Sequence, residues 1–404
     1  MNIAVAQSGG PTCAINSSLA GVIKEALQEE RIGSVFGSRN GIEGIINDRL
    51  VNLDKETCTD EWLNLLKYTP ASVLGSCRIK LRSSAQDADT YKTIFENFKK
   101  NNIGAFFYIG GNDSMDTVQK LSEYAAQNNI DVRIIGIPKT IDNDVAATDH
   151  TPGYGSAAKY IATTAAEIIR DSAVYNVKSV TIIEIMGRDA GWLTAAAALP
   201  RANNQPAPDL IYLPETAFST QKFIDDINNL HEKQNSVVVA VSEGLKDENG
   251  EYAANGYLSE TVDVFGHQYL AGLGKFLENL VKEKIGCKVR AVELNVMQRC
   301  SSHLSSKTDL DEAELIGAQA VKASFRGVTG KMMIFRRIST VPYKTEIDSF
   351  EISTIANKEK LFPVDWINDQ GNNINDEAVQ YILPLIQGEV QIPTKNGLPV
   401  HITI

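Results

Sequence analysis

No dense run of lysine or arginine occurs in this sequence, and acidic residues outnumber basic ones, 50 to 39, for a net charge of -11. That balance argues against nucleic acid or an anionic membrane surface as a main partner. A phosphorylated small molecule stays open, because a few local cations can bind one inside an acidic protein. Cysteine is sparse: Cys13, Cys58, Cys77, Cys287 and Cys300 are odd in number and scattered, with no C-x-x-C pair. A disulfide framework is not expected, and free thiols in a reducing cytoplasm are the plain reading. The five histidines show no metal-ligand spacing. No apolar stretch approaches the ~20 residues of a membrane-spanning helix. The opening Met-Asn-Ile-Ala-Val-Ala-Gln-Ser-Gly-Gly has no basic region followed by a long apolar run, so a signal peptide is not expected. Internal repeats and low-complexity tracts are also missing.

What is present is ordinary globular material in quantity. The chain has 404 residues, 43% hydrophobic and 22% charged, enough for two or more domains. A strand, glycine turn, helix unit opens it: Ile3 to Ala6, then Ser8-Gly9-Gly10, then a helical pattern through Leu19, Val22, Ile23 and Leu27. The unit recurs at Gly104 to Ile109, where Gly110-Gly111-Asn112-Asp113-Ser114 forms the turn and Met115 to Ala126 the helix. Further buried strands are predicted over Arg133 to Ile137, Val180 to Ile185 and Ser236 to Val241. The polar residues of interest follow the carboxyl ends of these strands, where open α/β sheets bind ligands. From about Ser339 the rhythm weakens, and an extension packed on the rest is expected.

Each polar string has a chemical reading and a plainer one. Ser8-Gly9-Gly10 lets the backbone approach a phosphate at a helix N-terminus, or is simply a tight turn. In Gly110-Gly111-Asn112-Asp113-Ser114 the last two residues suit an N-cap. A carboxylate at Asp113 is a poor neighbour for a polyphosphate tail, so it restricts the site rather than feeding it. Pro138-Lys139-Thr140-Ile141-Asp142-Asn143-Asp144 places two carboxylates two residues apart beside a lysine. One can take a proton from an attacking hydroxyl and the other can hold Mg²⁺, or the string is a polar turn. Arg188, after Met186-Gly187, suits charge on a transferred phosphoryl group or a surface ion pair. Arg290 and Arg299 could clamp a sugar phosphate, although taken alone each reads first as structural, and Glu243 could bind sugar hydroxyls or equally serve as a helix-capping carboxylate. Cys77, Cys300, Trp192, Met332 and Met333 read as packing residues.

Taken in order, these strings together with Gly75-Ser76-Cys77-Arg78, Ser242-Glu243 and Gln298-Arg299 resemble the phosphofructokinase family over roughly residues 1 to 330. The resemblance implies an α/β protein of two phosphofructokinase-type domains, each a mostly parallel sheet flanked by helices, with the active site in the cleft between them. Residues 1–150 would form a phosphoryl-donor domain that also receives part of about 300–360. Residues 151–299 would form a sugar-phosphate domain that also receives part of 361–404.

Roles follow residue by residue from the same resemblance. Asp142 matches the base that deprotonates the sugar 1-hydroxyl, and Thr140, Arg188 and Lys139 match groups that assist the transferred phosphoryl. Gly10, Arg78, Gly110, Gly111, Asp113, Ser114 and Lys139 match the donor site. Thr140, Asp142, Met186, Gly187, Arg188, Glu243, Arg290 and Arg299 match the sugar-phosphate pocket, with Arg290 reaching into a neighbouring subunit. That implies a homodimer or homotetramer. Asn112 and Asp144 match the Mg²⁺-associated pair, with Asn112 standing where the family usually has Asp. Val296 stands where many members have His, and Lys178 or Ser179 falls where a second neighbouring-subunit Arg is expected. The basic residues of the bacterial effector site are mostly not recognisable, with Ala20 and Lys24 in the first helix, so weak or no nucleotide control is expected.

The donor is read from two positions. ATP-using members carry Gly at the place of Asp113 and commonly at that of Lys139, whereas pyrophosphate-using members look like this chain at both. Near Asn40-Gly41-Ile42, the aromatic that many bacterial ATP-using members place by the adenine is missing. The expectation is reversible phosphoryl transfer from pyrophosphate to fructose 6-phosphate. The alternatives are an ATP-dependent enzyme, a lipid or NAD kinase, and a non-catalytic sugar-phosphate sensor, which would need neither Asp142 nor Arg188.

Overall fold

The computed structural model describes residues 1–77, 79–254, 272–354 and 358–404. Nine strands come first: β1 Asn2–Gln7, β2 Val35–Ser38, β3 Leu50–Asn52, β4 Ile103–Gly110, β5 Arg133–Pro138, β6 Ser179–Ile185, β7 Leu210–Tyr212, β8 Ser236–Ser242 and β9 Lys288–Glu293. Two long strands follow, β10 Lys331–Thr340 and β11 Tyr343–Glu351. They build a seven-stranded sheet in the order β11-β10-β5-β4-β1-β2-β3 and a four-stranded sheet in the order β7-β8-β6-β9. The second sheet is parallel throughout. In the first, only β2 with β3 and β10 with β11 are antiparallel.

The strands are apolar because parallel strands covered by helices on both faces must be. In β1, Ile3 to Gln7 are all buried, and in β4 seven of eight residues are. The last segment departs from the expected extension: Tyr343–Glu351 folds back on β10 and closes one edge of the first sheet. Its alternating half-buried and exposed residues explain why no continuous apolar run marks it. Met332 and Met333 are buried in the core, as expected of packing residues.

Four helices matter for the site: α1 Ile15–Gln28, α2 Asn112–Gln127, α3 Tyr154–Ser172 and α4 Lys307–Phe325. Helices α1 and α4 cross at unusually close range. A Cβ on Gly21 would lie 1.9 Å from the Glu314 carbonyl oxygen, and one on Gly317 would lie 2.1 Å from that of Ser18. Each helix thus needs its glycine at the crossing point. The carboxylate of Asp309, in α4, accepts from the Gly153 and Ser156 amides at 2.8 and 2.9 Å and so satisfies the start of α3. Helix α3 packs on β6 and on Phe362, Ile374, Ala378 and Ile382 of the C-terminal segment in one core.

Beside β10 lies a buried polar cluster. His150 lies between Asp149, 2.9 Å from Nδ1, and Glu312, 2.8 Å from Nε2, and stacks on Phe335. Arg337 donates to Asp149 at 3.0 and 3.1 Å. Burial alone would push His150 down, but Glu312 and Asp149 outweigh it and hold it up at about 9. A raised histidine stabilises the fold fully below its unfolded value of roughly 6.5 and loses that contribution as pH climbs to about 9. We therefore expect Tm to fall more steeply between pH 6.5 and 9 in the parent protein than in His150→Gln, by a difference of about 3 kcal/mol in stability. Parallel Tm curves in a pH series would refute this.

Candidate active site

Adjacent strands β1 and β4 send the chain in opposite directions, to β2 on one side and β5 on the other. This is a topological switch point, and the loops beyond the two carboxyl ends diverge and leave a crevice. The crevice continues into a cavity of about 500 Å³ lined by Ser8 to Thr12, Gly111 to Ser114, Lys139 to Asp142 with Asp144, Met186, Arg188, Glu243 and Arg299. The sequence strings, far apart along the chain, thus face one space.

Two helices begin at its donor end. Helix α2 starts at Asn112, earlier than the pattern suggested, so Gly111 is the N-cap and Asp113 and Ser114 sit in the first turn. Neither is the cap that the plainer reading made of them. A Cβ on Gly110 would lie 2.0 Å from the Ser114 hydroxyl, so a glycine is required there for this helix start. Before α1, Thr12 Oγ1 accepts from the Ala14 and Ile15 amides at 3.2 and 3.0 Å. Two helix N-termini directed at one cavity favour an anion.

Lys139 joins the two glycine loops. Its amide donates to the Gly110 carbonyl at 2.9 Å and its Nζ to the Gly10 carbonyl at 2.6 Å. The side chain is buried, and burial pushes the ammonium down to about 8, against the attraction of Asp142 and Asp144. Asp113 is partly exposed at the mouth, where Lys80 Nζ stands 3.4 Å from its carboxylate.

The turn after β5 carries the paired carboxylates. Asn143 between them is fully buried with φ +54°, a left-handed conformation that asparagine tolerates better than most residues. Thr140 Oγ1 donates to Asp142 at 3.2 Å and accepts from the Asp142 amide at 3.2 Å. Burial raises Asp142 against the Thr140 hydrogen bond and the charges of Lys139, Arg188 and Arg299. Asn112 Nδ2 donates to Asp144 at 3.2 Å. Burial, then Asp142 and Glu359, push Asp144 up to about 7.

The opposite wall comes from the second sheet. The Met186 amide donates to Gln298 Oε1 at 3.3 Å. Glu243 accepts from the Gly187 amide at 3.4 Å, and burial with the nearby Asp142 pushes it up to about 7. Arg299 reaches across toward the donor side, where Nη1 would be 3.4 Å from a Cβ on Gly10. Buried carboxylates that prefer protons and a cluster of cations define a site awaiting charged partners of both signs.

Of the described site residues expected from the sequence, Arg290 is not brought into this cavity, and Gly110 and Gly187 adjoin its lining residues in the chain without lining it. Arg78 lies outside the described residues. Arg290, in β9, is exposed, with Nη1 3.7 Å from Asp171 in α3, and lines a separate hollow. Three residues near the site carried no signal in the sequence: Lys80, Glu359 and Lys360. Lys80 is one of many surface-type lysines until its pairing with Asp113 is seen. Glu359 reaches the cavity through a backbone bridge to Val145, 215 residues from Asp144, counted from 359 to 144.

A sequence-family model described as Phosphofructokinase matches residues 2–324. The chain belongs to the phosphofructokinase family. Within this family it is similar to the protein named pyrophosphate–fructose 6-phosphate 1-phosphotransferase of Halomonas elongata, at 38% identity over 98% of this chain and 94% of the relative. A relative from Alkalicoccus urumqiensis named sulfofructose kinase is 31% identical over 92% of this chain and 93% of its own. Among solved structures, a pyrophosphate-dependent phosphofructokinase from Nitrosospira multiformis superposes with a TM-score of 0.89 at 35% identity, covering 99% of this chain and 95% of that one. Among the described residues, no helix is long and apolar enough to cross a membrane, and all five cysteines are free.

Proposed function

We propose that this chain catalyses reversible transfer of a phosphoryl group from pyrophosphate to the 1-hydroxyl of fructose 6-phosphate, yielding fructose 1,6-bisphosphate and phosphate. The observation that carries this reading is the charge arrangement at the donor end. An enclosed Lys139 ammonium bridges the two glycine loops, and the Asp113 carboxylate stands at the mouth. The first can neutralise a compact tetra-anion by direct pairing, whereas the second repels and crowds the α-phosphate of a nucleotide. The names borne by full-length relatives point to the same donor.

In this reading Asp142 takes the proton of the sugar 1-hydroxyl as its oxygen bonds to the terminal phosphorus and the bond to the leaving phosphate breaks. Its raised proton affinity suits that task. Thr140 orients the Asp142 carboxylate, and Arg188 with Lys139 holds charge on the phosphoryl oxygens. Gly10, Gly111 and the first turn of α2 receive the donor. Met186, Gly187, Glu243 and Arg299 hold the sugar phosphate. The donor chemistry of the opposite pair, one carboxylate at Asp144 and an amide at Asn112 that can turn its oxygen inward, fits Mg²⁺, which takes hard oxygen ligands from one or two side chains and completes its shell with phosphates and water. When bound there, Mg²⁺ would offset phosphate charge. Because pyrophosphate is a weaker driving donor than ATP, both directions are accessible. The exposed Arg290 completes the sugar-phosphate pocket of a second copy, so the active form is a homodimer or homotetramer, working in the cytoplasm.

The test is a donor comparison with purified protein. Fructose 6-phosphate with pyrophosphate should give turnover, and ATP in its place should give none. Turnover with ATP alone would sink the reading. Sulfofructose as acceptor should give the lower kcat/KM of the two.

A further inference from the structure

Lys360 lies 216 residues beyond Asp144, counted from 360 to 144, yet it is tied to the turn that carries both carboxylates. Its amide donates to the Asp144 carbonyl at 2.7 Å. Its Nζ donates to Asn143 Oδ1 at 3.1 Å, to the Asp149 carbonyl at 2.6 Å and to the Thr148 carbonyl at 3.3 Å. The ammonium therefore bridges both ends of the segment from Asn143 to Asp149. The lysine is itself held: the Trp192 indole donates to its carbonyl at 2.9 Å, and the ammonium lies 5.0 Å from that ring's centroid.

Asn143 is the pivot of the turn. Its left-handed backbone throws the flanking carboxylates toward the cavity, and its Oδ1 also accepts from the Thr151 amide at 3.1 Å. Its Nδ2 donates to the Tyr381 hydroxyl at 3.4 Å, and that hydroxyl donates to the Asp149 carbonyl. A strained local conformation persists only where the surroundings over-determine it. Here the surroundings come from the C-terminal segment, which supplies both Lys360 and Tyr381.

We propose that Lys360 is a positioning residue for phosphoryl transfer: through Asn143 it holds the Asp142-Asn143-Asp144 turn so that the Asp142 carboxylate meets the sugar hydroxyl in line with the donor. The proposal rests on the reading of Asp142 as the base. Lys360 does not line the cavity, so it acts on kcat rather than on binding. A misplacement of about 1 Å in a reacting group costs ~10²-fold, and that sets the scale.

The experiment measures kcat and both KM values of the full-length protein for Lys360→Met, Asn143→Ala, the double variant and Tyr381→Phe. Lys360→Met is expected to lose ~10- to 100-fold in kcat with each KM within about threefold of the parent. Asn143→Ala should lose a similar factor, and the double variant should lose little more than either, because both break one connection. Parent kcat in a folded Lys360→Met protein, or multiplicative losses in the double, would overturn the proposal. If Lys360→Met does not fold, Tyr381→Phe decides: a severalfold fall in kcat at unchanged KM supports the proposal, and an unchanged kcat overturns it. Parent turnover with pyrophosphate and fructose 6-phosphate is measured first, so a wrong assignment of donor or acceptor shows in the parent and not in the comparison among variants.

Discussion

Asp142→Ala should lower turnover by ~10²- to 10⁴-fold, the range that a positioned base supplies, while fructose 6-phosphate binding stays largely intact. The expectation follows from where Asp142 stands. It faces the cavity between the donor loops of the first sheet and the wall built by Met186, Arg188 and Glu243. Burial raises its proton affinity although Thr140, Lys139, Arg188 and Arg299 all pull the other way. A carboxylate kept for ion pairing alone would have no need of that compromise. Removing it also leaves three nearby cations with less compensation, so anionic ligands should bind at least as well as before. Calorimetry with fructose 6-phosphate alone, set beside steady-state kinetics, separates the two effects. Parent-like kcat in Asp142→Ala would assign the base elsewhere, and loss of sugar-phosphate affinity in step with kcat would recast Asp142 as a binding group.

Much of this was legible in the sequence because parallel strands covered on both faces are forced to be apolar and ligands gather at their carboxyl ends. Strand β4 followed by Gly110-Gly111 is an example: the run from Ile103 to Ile109 could hardly be anything but a buried strand. The start of α2 was misjudged by three residues, since Asn112, Asp113 and Ser114 are weak helix formers that a tight glycine approach allows into the first turn. Tyr343–Glu351 was illegible as sheet because it is an edge strand with one exposed face. Lys360 was illegible for a different reason. Its importance comes from four acceptors and an indole supplied by other segments, and no local pattern around Glu359-Lys360 encodes them. Local rules find the residues that touch ligands, because strand ends mark them. They miss residues that hold those residues in place.

The second large effect concerns the donor. Lys139→Gly should raise the KM for pyrophosphate by ~10- to 100-fold, the worth of one hydrogen bond to a charged group, and Lys139→Gly with Asp113→Gly should not restore it. Lys139 is buried, so its charge acts through little intervening water. Asp113 is partly exposed and faces Lys80 at 3.4 Å, so its removal alone should change pyrophosphate use much less. The pH profile adds an independent mark. Burial lowers the Lys139 ammonium from its ordinary value to about 8, so the charged form dominates below that pH and is lost above it. The KM for pyrophosphate should therefore rise as pH passes through about 8 in the parent, and this rise should vanish in Lys139→Gly. An unchanged pyrophosphate KM in Lys139→Gly would refute the pairing. A gain of ATP turnover is not required of the double variant, since removing a carboxylate opens space for the α-phosphate but builds no surface for the adenine ring. The two positions thus do separable things: Lys139 makes the small donor bind, and Asp113 makes the large one unwelcome.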